Sequence, residues 1–176
     1  MDDSDLGKRM PDEARIPWHV LHVKPRCEKK LAAQVGGRMG LPVFLPLREE
    51  TKLYQRRKVM VRKPVFSGYL FAAFTKEQQV EVLKTNQVVR VLEVLDQSGF
   101  LAQLEQVRKA LEVDPTLGAC EAFHSGQRVR VRAGPFQGIE GVVHVVRGQA
   151  RVVLNIELIG QAVPLEVDAS VLEVLA

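Results

Sequence analysis

The segment VRVRAGPFQGIEGVV, residues 129–143, combines a strand pattern with a glycine-rich turn. Valines alternate with arginines at its start, and this period of two is typical of a half-buried β-strand. Three glycines and a proline then fall between residues 134 and 141, before valines resume at 142. Further short β-rich runs follow as far as residue 175, separated by turns that contain Gly, Pro or Asp. This spacing predicts a small five-stranded β-barrel over residues 125–176.

The chain before this barrel follows a different pattern, which predicts an α+β domain over residues 16–112. We expect an antiparallel or mixed sheet with helices packed on it, because strand-like runs alternate with helix-like runs. Thr75 and Gln78 form a capping box at the start of one helix, whose Val80 and Leu83 are expected to face the core. The charged stretch at 48–58 is interpreted as a projecting hairpin or a long loop. Strands are expected at 18–23, 43–47, 58–63, 69–74 and 88–94, and helices before Gly36, from 75 to about 84 and from about 98.

Two further segments lie outside these domains. Residues 1–15 are poor in large apolar side chains, so we expect a disordered tail, and they lack the hydrophobic stretch of a secretory signal. Residues 113–124 lose regular apolar spacing and are expected to form an interdomain linker. No apolar run approaches the roughly 18 residues needed to span a bilayer. Two cysteines in a chain without an export signal suit a reducing compartment, so we expect a cytoplasmic protein that does not bind a membrane.

The basic charge is concentrated in one part of the sequence. The whole chain carries 25 Lys and Arg against 21 Asp and Glu, a formal net charge of +4. Residues 18–63 contain twelve basic and three acidic side chains, whereas residues 125–176 contain five of each. A segment of this kind fits a surface that faces a polyanion, and a solvated charged face is the alternative with the same composition.

The sequence offers no constellation of residues for catalysis or metal binding. His19 and His22 lie an odd number of positions apart on a predicted strand, so their side chains point to opposite faces. With Cys27 they could form a metal site only if the chain bent sharply. The carboxylates are scattered, and no glycine-rich phosphate loop follows a strand. We therefore expect a non-enzymatic protein without a metal or a cofactor.

Four stretches of the sequence resemble the two domains of the NusG family. SGQRVRVRAGPFQGIEGVV (125–143) resembles a KOW motif, and LIGQAVPLEVD (158–168) is similar to the closing segment of the same domain. WHVLHVKPRCEKKLA (18–32) and PVFSGYLFAAF (64–74) resemble segments of the family's amino-terminal domain, the NGN domain. The resemblance covers residues 17–176. It implies a transcription elongation and antitermination factor that binds RNA polymerase and suppresses pausing and termination.

The resemblance implies a polymerase-binding surface in the NGN domain. In the family, an exposed hydrophobic depression receives the coiled-coil clamp helices of the largest polymerase subunit. The aromatic cluster in PVFSGYLFAAF is expected to contribute to this depression, with Phe71 and Phe74 in the core, and burial of the whole cluster is the alternative. The residues assigned to the polymerase contact are Phe66, Tyr69, His22 and Trp18.

The resemblance also implies contacts with the non-template DNA strand. In the family, the end of the first strand and the junction before the last strand of the NGN domain approach the upstream DNA. Basic side chains can follow phosphates, while Thr and Asn side chains can reach the bases of single-stranded DNA. Three adjacent cations at the hairpin add to these candidates. The nucleic-acid candidates are Lys24, Arg26, Arg56, Arg57, Lys58, Lys84, Thr85, Asn86 and Arg90.

For the KOW domain, the resemblance implies recruitment of a small-subunit ribosomal protein or of the Rho terminator by a monomeric factor. Phe136 and Ile139 are the candidate contacts, with packing at the barrel end as the alternative. His19, His22, Ser67 and Ile139 depart from the general family pattern, and together with the charged hairpin they resemble a specialised paralogue such as RfaH. A function of another class is also open, that of a KOW-type RNA-binding protein associated with the ribosome.

Overall fold

The computed structural model describes residues 16–122 and 125–176. The chain divides into two compact units, of which the first ends at Ser98 and the second begins at Gly99. The predicted tail and two residues of the predicted linker, Phe123 and His124, lie outside the described residues. In the described part of the chain, no helix is long and apolar enough to cross a membrane. The fold class is the predicted one, an α+β unit followed by a strand-rich unit.

The first unit is built on a four-stranded antiparallel sheet with the strand order β2-β5-β1-β6. A separate two-stranded sheet pairs β3 with β4. The elements are β1 (Trp18–Val23), α1 (Glu28–Ala32), β2 (Val43–Phe44), β3 (Leu47–Tyr54), β4 (Arg57–Pro64), β5 (Tyr69–Ala73), α2 (Lys76–Leu83) and β6 (Val88–Glu93). A π-helical turn, Ala33–Arg38, continues α1. A third helix, α3 (Gln97–Val113), begins at the end of this unit.

Both faces of the central strands are buried. Leu21 of β1 is paired with Leu70 of β5, and both belong to a core cluster that includes Leu31 of α1 and Val82 of α2. Val20, the neighbour of Leu21, points to the other face and is also fully buried. The sequences of these strands are therefore nearly continuous apolar runs rather than alternating apolar and polar residues. This pattern is typical of strands that are covered on both faces.

The start of α2 follows the prediction, whereas its buried face does not. The Thr75 and Gln78 side chains each accept a hydrogen bond from the other's backbone N–H, at 3.3 and 2.9 Å. Val82 is fully buried, while Val80 and Leu83 are 53% and 43% exposed. The prediction that Val80 and Leu83 face the core is therefore wrong. With apolar residues at three closely spaced positions of an eight-residue helix, the sequence does not decide which of them meets the sheet.

The predicted hairpin is formed by β3 and β4. Its register runs from Leu47 paired with Pro64 to Tyr54 paired with Arg57, so the strands extend further than the sequence indicated. Only two residues remain for the turn, Gln55 and Arg56. Both have positive φ, 44° and 67°, which is the backbone conformation of a type I′ turn.

The second unit contains most of α3 and an antiparallel sheet with the strand order β12-β8-β9-β10-β11-β7. Its strands are β7 (Cys120–Glu121), β8 (Arg128–Val131), β9 (Glu140–Val146), β10 (Gln149–Ile156), β11 (Gln161–Glu166) and β12 (Leu172–Val174). Five of them, β8 to β12, occupy the predicted KOW region. The short β7 was not expected, because it lies in the predicted linker and pairs with the start of β11. The unit boundary also falls before the predicted one, since residues 99–112 are grouped with the second unit.

The glycines of the 129–143 segment have two different roles. Gly134 and Gly138 have φ of +89° and +87°, so they supply turn conformations that other residues rarely adopt. Gly141 lies within β9, and a Cβ atom added there would be 2.7 Å from Val152 Cγ1 and 2.8 Å from the carbonyl oxygen of Val153. The close approach of β10 therefore requires glycine at this position.

Candidate partner and nucleic-acid surfaces

The turn between β4 and β5 is held from two sides. The N–H of Val23 donates to the carbonyl oxygen of Gly68 at 2.8 Å, which ties the turn to the end of β1. The N–H of Gly68 donates to Oε1 of Glu28 at 2.8 Å, and the Glu28 side chain is almost completely buried. Gly68 itself has a φ of 84°, a conformation that favours glycine. The orientation of Tyr69, the next residue, therefore depends on Glu28, which the sequence did not identify.

Tyr69 and His22 form the accessible part of the expected polymerase surface. They are cross-strand partners in β5 and β1, and their rings stack with centroids 5.4 Å apart and an interplanar angle of 24°. Tyr69 is half-buried and His22 is exposed. A stacked pair of this kind offers flat apolar area with polar edges, which suits an anchor for a partner helix.

Phe66 and Trp18 lie beneath the surface rather than on it. Phe66 is 1% exposed and packs edge-on against Phe71, with ring centroids 6.1 Å apart, and Trp18 has no exposed surface. The expectation that these two side chains touch a partner directly is corrected for this conformation, because neither presents more than 1% of its surface. Phe71 and Phe74 are fully buried, as predicted.

His19 points away from His22, as the spacing predicts, and stacks on Phe74 with centroids 4.2 Å apart and an interplanar angle of 6°. Burial lowers the pKa of His19 below its ordinary value of 6.5, and a backbone hydrogen bond at Pro17 and the charge of Glu93 oppose this less strongly. The lowered pKa favours a neutral ring that packs in the core. Within the part of the chain that the structure describes, no cluster of His, Cys, Asp and Glu side chains could hold a metal ion.

The structure brings the two predicted DNA-facing regions together. The N–H of Lys24, just after β1, donates to the carbonyl oxygen of Gln87, just before β6, at 2.9 Å. His22 is paired with Arg90 across β1 and β6, so Arg90 lies beside the Tyr69–His22 pair on the same sheet. Two regions that are about 60 residues apart in sequence therefore form one continuous edge next to the expected polymerase surface.

The side chains along this edge differ in how accessible they are. The Thr85 side chain already has a hydrogen-bond partner within the protein, because its hydroxyl donates to the carbonyl oxygen of Val82 at 2.7 Å at the end of α2. Lys84 lies 2.6 Å from Glu81 in an exposed ion pair, which contributes little to stability and leaves the cation at the surface. The exposed members of the predicted set are Lys24, Arg26, Lys84, Asn86 and Arg90.

The three hairpin cations are also exposed, and they share the hairpin tip with apolar side chains that the sequence analysis missed. Arg56, Arg57 and Lys58 are all exposed. A two-stranded hairpin has no core beneath it, so apolar residues in its strands remain at the surface. The sequence feature that could have indicated these exposed side chains is the presence of apolar residues within a basic segment. These exposed apolar residues are Leu53, Tyr54, Val59 and Met60.

The KOW candidates separate into one accessible and one buried residue. Phe136 is half-buried, whereas Ile139 is 2% exposed. The N–H of Val131 donates to the carbonyl oxygen of Ile139 at 2.9 Å. The N–H of Ile139 donates to the carbonyl oxygen of Phe136 at 3.1 Å. Ile139 therefore closes the turn from inside, and the expectation of a direct partner contact is corrected for this residue.

The arginines of β8 are partly neutralised. Arg130 forms an ion pair with Glu140 of β9 at 2.6 Å, and Arg128 lies 3.6 Å from the same carboxylate. Residues 125–176 contain equal numbers of basic and acidic residues. Together with this pairing, that balance argues against a strong nonspecific attraction of residues 125–176 to nucleic acid.

Comparisons with known proteins agree on one family. A family model described as "Transcription termination factor nusG" matches residues 17–110. The Transcription termination/antitermination protein NusG of Thermus thermophilus is 31% identical, and the alignment covers 88% of this chain and 96% of that protein. The protein of the same name from Treponema pallidum is 24% identical over 90% of this chain and 98% of its own.

A similarity to a solved structure was also found. The structure titled "Crystal Structure of MjSpt4:Spt5 complex conformation B" aligns with 90% of this chain and 97% of its own, at 18% sequence identity. Its TM-score of 0.30 is too low to support an argument.

Proposed function

The chain belongs to the NusG family, and we propose that it is a transcription elongation factor that binds RNA polymerase. The observation that carries the proposal is the similarity to a termination/antitermination protein over 88% of this chain and 96% of that relative. Proteins of this family are not enzymes, so the function depends on binding surfaces. We assign the polymerase contact to residues 16–112 as an NGN domain and the recruitment of a further partner to residues 125–176 as a KOW domain.

The proposed contact with the polymerase clamp is centred on Tyr69 and His22. Their stacked rings supply the accessible aromatic surface, whereas the Phe66 and Trp18 side chains are buried. Glu28 fixes the turn that carries Tyr69 through its bond to Gly68. Interface energy commonly concentrates in a few rigid aromatic anchors of this kind. The clamp of the largest subunit is the proposed receptor.

Suppression of pausing would follow from differential binding. If the factor binds the elongating conformation of the polymerase about tenfold more tightly than the paused conformation, it changes the ratio of the two states by the same factor. No chemical step is required. The same preference would oppose termination, because termination begins from paused complexes.

The proposed DNA contact lies along the edge next to Tyr69 and His22. Lys24, Arg26, Lys84 and Arg90 can follow phosphates, and the amide of Asn86 can reach bases. Their position beside the proposed clamp contact supports a role on the non-template strand, since one docking event would place both surfaces. Exposed cations at the hairpin tip, residues 56–58, provide a second place for contacts with nucleic acid.

The KOW domain is proposed to recruit a small-subunit ribosomal protein or the Rho terminator through the Phe136 turn. Tethering a second binding module to a polymerase-bound domain raises its effective concentration near the transcript. We propose that the factor acts as a monomer in the cytoplasm and does not bind a membrane. Its assignment as a specialised paralogue stays a prediction, and the two relatives named above carry the general NusG name.

Affinity capture tests the proposal. Tagged full-length protein in a lysate of its own organism is expected to retain RNA polymerase subunits. Tyr69→Ala should weaken binding to purified polymerase about 30-fold, the equivalent of about 2 kcal/mol for an aromatic anchor. Leu95→Ala, at a side chain that is 91% exposed, is the matched control and should bind as the wild type does. Recovery of ribosomal RNA without polymerase would instead identify a ribosome-associated RNA-binding protein.

A further inference from the structure

The tip of the β3–β4 hairpin, residues 51–60, carries a surface that is not part of the proposed polymerase contact. It contains four Lys and Arg residues and no Asp or Glu. Four apolar side chains in the same ten residues are exposed, and that of Tyr54 is 66% exposed. Single exposed apolar residues are common on protein surfaces, so what matters is how these four are arranged with the cations.

The strand register sorts these side chains onto two faces. Tyr54 is paired with Arg57, and Lys52 is paired with Val59. Cross-strand partners point to the same face, and residues two apart in a strand share that face. One face therefore presents Tyr54, Arg57, Lys52 and Val59, and we name it the Tyr54 face. The opposite face presents Thr51, Leu53, Lys58 and Met60.

The acidic residues of the hairpin lie away from its tip and are paired there. Glu50 is 2.8 Å from Lys63, and Glu49 is 3.5 Å from Arg62. These pairs hold the base of the hairpin near neutrality. The positive charge of the tip is therefore concentrated around the two-residue turn, where Arg56 occupies a left-handed conformation that glycine would adopt more easily.

The combination of exposed cations and an exposed aromatic side chain favours one class of ligand. The cations of residues 51–60 attract a polyanion, because the nearest acidic residue on the Tyr54 face, Glu50, is already paired with Lys63 at 2.8 Å. An exposed aromatic ring beside a guanidinium suits the face of an unpaired base. Bases in a duplex are already stacked on both faces, so an exposed aromatic ring gains little from them. An apolar groove of a protein would be a poor match, because it would have to desolvate the adjacent Arg57 and Lys52.

We propose that the Tyr54 face binds single-stranded nucleic acid, with a base stacked on the Tyr54 ring and neighbouring phosphates on Arg57 and Lys52. The proposal rests on the proposed nucleic-acid role of the hairpin, and it is independent of the clamp contact at Tyr69. It adds an aromatic contact to the cations and specifies single strands rather than duplexes.

The test measures binding of the full-length protein to fluorescent oligonucleotides by anisotropy, without polymerase. A 12-nucleotide single strand of DNA, the RNA of the same sequence and the matching DNA duplex are the probes. We expect a single strand to bind more tightly than the duplex. Tyr54→Ala should weaken single-strand binding about 5- to 150-fold, because stacking of one base contributes about 1–3 kcal/mol. Tyr54→Trp should retain binding, since it preserves a flat ring.

Two further variants separate stacking from general charge and from damage to the fold. Leu53→Ala removes an equally exposed apolar side chain from the opposite face, and its affinity should stay within about twofold of the wild type. Arg57→Gln should reduce the slope of log K against log salt by about 0.7, the value for one phosphate on a single strand. The thermal unfolding of all variants should match the wild type, because the substituted side chains are exposed.

Three results would overturn the proposal. The first is equal loss of single-strand binding in Tyr54→Ala and Leu53→Ala, and the second is tighter binding of the duplex. The third is unchanged oligonucleotide binding in Tyr54→Ala with weaker capture of polymerase, which would make the hairpin a contact for an acidic protein surface. Capture of polymerase by the wild type is measured in parallel, so a failure of the polymerase proposal is seen separately.

Discussion

Replacing Glu28 with alanine is expected to loosen the turn that presents Tyr69. In the native protein, the Glu28 carboxylate accepts a hydrogen bond from the N–H of Gly68 at 2.8 Å, and the side chain is only 7% exposed. Glu28 is also the first residue of α1, where a negative charge interacts favourably with the exposed N–H groups of the helix. Alanine removes both interactions and leaves a small cavity.

The size of the effect follows from these two interactions. A hydrogen bond to a charged group contributes about 1.5–3 kcal/mol, and a charge in the first helical turn adds about 0.3–1 kcal/mol. Gly68 is only half-buried, so water can replace part of the lost bond in the variant. We therefore expect Glu28→Ala to lower the free energy of unfolding by about 2 kcal/mol. Glu28→Gln keeps an acceptor oxygen without the charge, so its cost should be about 1 kcal/mol.

Urea-induced unfolding measures this difference. Trp18 is the only tryptophan of the chain and is fully buried in the first unit, so its fluorescence reports on the unit that contains Glu28. The polymerase affinity of Glu28→Gln should stay near the wild-type value, while that of Glu28→Ala should fall. The reasoning would be refuted if Glu28→Ala lay within about 0.5 kcal/mol of the wild type, the usual range for an uninvolved surface position. It would also fail if glutamine were as destabilising as alanine.

Two further predictions concern stability. Gly141→Ala should lower the free energy of unfolding of the second unit by about 1–3 kcal/mol, because its Cβ would overlap Val152. Thermal unfolding followed by circular dichroism measures this change. Gly37→Ala is the control, because a Cβ atom at Gly37 has no neighbour within 4 Å. Equal destabilisation by the two substitutions would contradict the packing argument. The lowered pKa of His19 means that the unfolded chain binds a proton more readily, so stability should fall as pH decreases through 6.5. His19→Phe should reduce this pH dependence and keep the stack on Phe74, and an unchanged pH profile would show that His19 is not responsible.

The sequence was sufficient for most of the order of elements, because most strands and helix ends depend on local signals. The expected strand at 43–47 is instead divided between β2 and β3. The Thr75 capping box and the alternating valines of β8 specify local structure without reference to the rest of the fold. The KOW and NGN resemblances then supplied the fold class. The two-residue β7 could not be predicted, since so short a strand exists only because β11 offers it a partner.

Burial at the candidate site was harder to predict. Phe66, Trp18 and Ile139 were expected at partner-binding surfaces, and all three are buried. An aromatic or branched side chain has the same sequence signal whether it packs beneath a surface or forms it, so the covering elements decide the outcome. The role of Glu28 was missed for a similar reason, because its partner Gly68 lies 40 residues away.

Pausing of RNA polymerase in a single-round transcription assay tests the central claim most directly. Full-length protein is added to halted complexes of the polymerase from its own organism, and the lifetime of a defined pause is measured. We predict a shorter pause with the wild type and with Leu95→Ala, and no shortening with Tyr69→Ala. An unchanged or longer pause with the wild type, or full activity in Tyr69→Ala, would contradict the account.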